Sequence, residues 1–60
     1  MKKIEFHHEL SDTAFDVYAS STFEFYLDAD DTYYCSDIAG SEKYRIGSIE
    51  QVEEYLLMFA

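Results

Sequence analysis

The amino-acid sequence predicts an α+β fold: a small antiparallel β-sheet, formed by a three-stranded meander plus an N-terminal strand, with a C-terminal helix packed on one face. Three observations carry that expectation. Apolar and polar residues alternate with period two from Lys3 to Leu10, and again in runs between Thr22 and Ile46. Turn-forming clusters at Asp28-Ala29-Asp30-Asp31 and Ala39-Gly40-Ser41-Glu42 divide the second stretch into three. From Ser48 the spacing becomes helical, behind a capping-box signature.

In the first segment Ile4, Phe6, His8 and Leu10 fall on one face, and Lys3, Glu5, His7 and Glu9 on the other, as in a half-buried strand. Ser11 to Ser21 suits two structures. Ser11 or Asp12 can cap a short helix with Ala14, Phe15, Tyr18 and Ala19 on one side, or Phe15, Val17 and Ala19 can point inward from a strand. The helix is the preferred reading. Phe23, Phe25 and Leu27 then alternate with Glu24, Tyr26 and Asp28, which defines a strand with one apolar face. Thr32 to Ile38 is rich in β-formers without a clear inward side. Lys43 to Ile46 alternates again, with Tyr44 and Ile46 opposite Lys43 and Arg45. Gly47 permits a sharp turn before Ser48, and Gln51 completes the capping box. Ile49, Val52, Tyr55, Leu56 and Phe59 line one face of the final helix, and Glu50, Glu53 and Glu54 the opposite one.

Sixty residues make one compact domain spanning 1–60, near the lower size limit for independent folding. Six Tyr and five Phe supply much of the apolar area, and there is no proline. Disordered acidic segments are poor in aromatics, so a folded chain is expected. Cys35 is the lone cysteine, which suits a reducing compartment, and a cytoplasmic location is the expectation. Met1-Lys2-Lys3-Ile4 resembles the start of a secretion signal, but charged and polar residues follow where an apolar stretch is needed.

Charge is the dominant feature. Thirteen acidic residues oppose four basic ones, for a formal net charge of -9. No Lys or Arg occurs from Glu5 to Glu42. Such a field repels nucleic acid and anionic membranes and attracts basic proteins. The expected partner is therefore a basic DNA-binding protein, with no direct nucleic acid or membrane contact. A monomer or weak homodimer is expected, because close self-association must avoid the acidic face.

Catalytic and metal motifs are weak. Asp28, Asp30 and Thr32 imitate the opening of a calcium loop, but Tyr33 and Ala39 stand where glycine and a bidentate glutamate are required. His7 and His8 are adjacent, so on a strand their rings point to opposite faces. There is no glycine-rich phosphate loop or nucleophile motif, and a chain this short leaves little room for a pocket of several hundred Å3. No enzyme activity, metal or cofactor is expected.

The carboxylates suggest another use. A 60-residue domain spans roughly 25–30 Å, over which duplex DNA carries about sixteen charges. The acidic inventory approaches that scale. The expected contact residues are Glu24 and Tyr26 on the outward side of their strand, and Asp28, Asp30 and Asp31 in the turn that follows. Asp37, near the end of the next strand, joins them. Glu50, Glu53 and Glu54 form a second group. Leu57 shares their helical sector and offers an apolar contact inside the acidic rim.

In size, acidity, aromatic content and helix-on-sheet layout, the chain resembles the small phage-encoded inhibitors that act as DNA mimics, including anti-CRISPR proteins and inhibitors of uracil-DNA glycosylase. The resemblance covers the whole chain and is one of format. It implies a stoichiometric inhibitor that occupies a DNA-binding surface of a host defence or repair protein, with a CRISPR effector as the favoured target. An acidic immunity protein or antitoxin that neutralises a basic nuclease toxin is the alternative.

Overall fold

Local chemistry sets each element boundary. The computed structural model describes residues 1–36 and 42–60. Its elements in order are β1 (Lys2–Ile4), α1 (Asp12–Ser20), β2 (Glu24–Leu27), β3 (Tyr33–Ser36), β4 (Tyr44–Gly47) and α2 (Ile49–Leu57). The strands form one antiparallel sheet in the order β1-β2-β3-β4. The α+β class, the meander and the C-terminal helix are as the sequence predicts.

The N-terminal strand is shorter than predicted. It stops at Ile4 and does not continue to Leu10. Ile4 pairs with Phe25, so one more step would set Glu5 directly opposite Glu24. Like charges facing each other across an antiparallel pair destabilise it, and the ladder ends there. Phe6 still reaches the core, whereas His8, predicted on the inward face, is exposed.

Within Ser11 to Ser21 the chain is helical from Asp12 to Ser20, as preferred, with the two outer serines as caps. The Ser11 hydroxyl accepts the Ala14 N–H at 3.3 Å and caps α1, and Ser21 Oγ closes its other end by donating to the Tyr18 carbonyl at 2.8 Å. Ala14 is buried, and Phe15, Val17 and Tyr18 pack against the core. Ala19, expected on the packed side, is exposed, because the buried sector runs through Val17 instead. The Tyr18 hydroxyl donates to the Ile4 carbonyl at 3.3 Å and ties α1 to β1.

The β2–β3 turn closes through Asp31 N–H to Asp28 O at 3.1 Å and Asp28 N–H to Thr32 O at 3.0 Å. Asp31 has φ 62, a left-handed conformation that Asp adopts more readily than most residues. The predicted end of the third strand at Ile38, the turn from Ala39 to Ser41 and the candidate contact Asp37 lie outside the described residues.

Strand register sorts the two faces. Ile4, Phe25, Cys35 and Tyr44 form an inward row, and Lys3, Tyr26, Tyr34 and Arg45 an outward one. Phe6, Ala14, Phe25, Cys35, Val52 and Leu56 make the core between the sheet and the helices. The Phe6 ring meets Tyr18 at 5.1 Å and Phe25 at 5.3 Å, both edge to face, a geometry that adds to their buried area. Tyr44 is on the inward side but remains half exposed at the sheet edge. Among the described residues, no helix is long and apolar enough to cross a membrane.

Candidate acidic interaction surface

The acidic side chains fall into two electrostatic environments. On the open side of the sheet, Glu24 lies 3.2 Å from Lys3 Nζ and accepts the Tyr26 hydroxyl at 2.8 Å. Lys43 Nζ stands 4.6 Å from the Tyr26 ring centroid. The Tyr26 hydrogen bond, then Lys3, hold the Glu24 carboxyl below the ordinary glutamate range, and the same contact raises the Lys3 ammonium. Glu24 and Tyr26 thus belong to a charge-compensated patch.

A titration follows from that geometry. The Glu24 carboxyl is expected to show an NMR midpoint below that of an ordinary glutamate, and Tyr26→Phe should move it upward. With its folded pKa depressed, Glu24 contributes stability above its unfolded value and loses it as pH falls through the folded one. A midpoint unchanged by Tyr26→Phe would show that the hydroxyl does not hold the carboxylate.

At the turn, Asp28 Oδ1 accepts the Ala29 N–H at 2.8 Å and Asp30 Oδ1 accepts the Thr32 N–H at 3.2 Å. Two of the three turn carboxylates therefore also organise the backbone. Asp31 is exposed. Burial pushes the Tyr33 hydroxyl up, and the nearby charges of Glu9 and Asp31 push it further. One ring thus lies within the fields of both the turn and the Glu5–Leu10 segment.

Glu9 continues the acidic surface onto the helix layer. Glu9, Ile49, Glu50, Glu53, Glu54 and Leu57 line an open cleft of about 370 Å3. The α2 members recur at helical spacings of three and four, which put them on one sector. Leu57 is 41% exposed, so the cleft has apolar side chains among carboxylates. The structure brings Glu50, Glu53, Glu54 and Leu57 together. It leaves Glu24 and Tyr26 on the sheet.

Glu9 was not among the contact residues expected from sequence. An uninterrupted Lys3–Leu10 strand sets it on the solvent side of the sheet, and only the early end of β1 carries it to α2. Glu53 has a structural duty besides: its carboxylate accepts the Ser11 N–H at 3.0 Å, next to the start of α1. Glu53→Ala should lower stability by about 1 kcal/mol, the worth of a typical hydrogen bond, while Glu53→Gln keeps an acceptor and most of that stability. Urea denaturation of both variants measures the difference, and equal midpoints would remove the role.

A second open cleft, of about 510 Å3, has Lys2, Lys3, Glu5, His7 and Glu9 on its walls, with Tyr33. His7 Nε2 is 3.2 Å from Glu5. Its charges are mixed, unlike the uniformly acidic cleft on α2. These two clefts give more concave surface than the chain's length suggests, and both are open to solvent. Among the described residues, no group of three or more His, Cys, Asp or Glu side chains is placed to hold a metal.

Comparison with protein-family models, curated proteins and solved structures finds no match to this chain.

Proposed function

We propose that this protein is a stoichiometric inhibitor that mimics DNA and blocks the basic DNA-binding surface of a host defence protein, with a CRISPR effector as the favoured target. The observation that carries this reading is the convergence of Glu9, Glu50, Glu53 and Glu54 around Ile49 and Leu57. An arginine or lysine has the complementary form. Its methylene stem packs on the two aliphatic side chains while its head meets carboxylates, and arginine adds a fork that binds a carboxylate through two hydrogen bonds. The body measures 26 × 25 × 18 Å, a size over which its thirteen carboxylates approach in number the charges of a DNA segment. Binding rather than bond breaking is the action, and the cytoplasm is its place.

The test is competition. A guide-loaded CRISPR effector and its labelled target duplex are titrated with the protein at 0.05, 0.15 and 0.5 M salt. DNA release is expected, with apparent affinity falling steeply as salt rises and charges are screened. A ternary complex that keeps the duplex in its groove, or an affinity indifferent to salt, would falsify the mimicry.

A further inference from the structure

The side of the sheet not covered by helices carries the opposite chemistry. One cross-strand row runs Lys3, Tyr26, Tyr34, Arg45 across all four strands. Lys43 adds a third cation by lying over Tyr26. Among the described residues Glu24 is the only acidic residue in a strand, and Lys3 and Tyr26 compensate it. The two tyrosines occupy the central strands and are only half-buried, with Lys3 and Arg45 on the edge strands. An aromatic centre within a charged rim has the anatomy of a protein interface, and Tyr and Arg dominate binding energy in such places.

We propose that this open face docks onto the Glu9–Glu50–Glu53–Glu54 cleft of a second copy of the chain, head to tail. Charge complementarity selects that occupant and that geometry. Cleft against cleft opposes carboxylates, and face against face opposes Lys3, Lys43 and Arg45 to their own copies. Only the unlike pairing joins cations to anions. The remaining negative charge of two copies is largely screened beyond about 8 Å at physiological salt. The whole body measures only 26 × 25 × 18 Å, so a contact between one face and one cleft is small for a specific interface, and the association is weak and concentration-dependent. A contact between two different surfaces does not close on itself, and short chains of copies result. Where the acidic cleft also serves the proposed inhibition, each inner copy has its cleft covered, and self-association competes with target binding. That last consequence rests on the proposed function, whereas the contact itself does not.

Sedimentation velocity from 10 µM to 1 mM tests the contact without any target. The weight-average mass is expected to rise above the 7.0 kDa monomer with concentration. Arg45→Glu, which breaks the cation row, and Glu50→Lys/Glu54→Lys, which reverses the cleft, should each remain monomeric with parental circular dichroism. Mixed one to one, they should associate, because one variant keeps an intact cleft and the other an intact face. A wild-type mass constant to 1 mM overturns the proposal. So does a mixture that stays monomeric, or an Arg45→Glu variant that associates as the parent does. Wild type is also titrated into a labelled single-stranded oligonucleotide. Tighter binding to that strand than to itself would assign the cation–tyrosine face to nucleic acid and likewise overturn it.

Discussion

Substituting Glu50 and Glu54 together with glutamine is expected to weaken displacement of DNA from the effector by at least a hundredfold, with thermal stability unchanged or slightly raised. Both side chains are exposed and stand one helical turn apart. Like charges at that spacing cost a helix a few tenths of a kcal/mol, which neutral glutamines relieve. Surface changes otherwise shift stability by about 0.5 kcal/mol or less. Removing one partner of a charge pair buried at an interface costs about 2–5 kcal/mol of binding, so losing two carboxylates from the cleft exceeds a hundredfold even at the low end. Asp30→Asn/Asp31→Asn is the companion variant. Asparagine keeps an acceptor for the Thr32 N–H and tolerates the left-handed backbone at position 31, so the turn should survive. Inhibition is expected to fall about tenfold, or 1.4 kcal/mol. A turn variant that loses more than the helix variant would move the centre of contact to the turn, and parental inhibition by both would remove it from this surface.

The largest stability effect is expected at Gly47. Its φ of 128 lies where side chains other than glycine are strained. A Cβ there would run into the Gln51 carboxamide, which has folded back to accept the Ser48 N–H at 2.8 Å. Gly47→Ala must therefore strain the backbone, at about 1–3 kcal/mol, and also dislodge the side chain that caps α2. For a domain of this size each kcal/mol shifts the melting temperature by about 4–8 °C, so a fall of about 10 °C or more is expected in a thermal melt. Gln51→Ala, which loses the cap and keeps the glycine, should cost less. A Gly47→Ala melt within about 3 °C of the parent would mean that the α2 start relaxes freely, against the geometry above.

Sequence periodicity located most of the fold because each element carried its own signal. Phe23, Phe25 and Leu27 alternate without interruption, and Ser48 with Gln51 marks the start of α2 in a form that depends only on local residues. Lys3 to Leu10 misled because alternation describes one strand, while its length depends on the neighbour. Nothing near Glu5 announces Glu24, nineteen positions away, as the residue it would have to face. The site was half legible for the same reason. Helical spacing alone groups Glu50, Glu53, Glu54 and Leu57, whereas Glu9 joins them only through tertiary structure. The compensation of Glu24 by Lys3 needs the β1–β2 register, and the cation row needs all four strands in order.

The separation of charge between the two layers gives the molecule an electric dipole in addition to its net charge. The cationic row marks one pole, and the carboxylates of α2 mark the other. In the proposed inhibition, a positive groove would exert a torque on such a body before contact and turn its helix side inward. Electrostatic steering of this kind raises association rates by one to three orders of magnitude at low salt. Encounters then begin near the productive orientation, and the cations of the sheet, which would be repelled by the groove, trail behind.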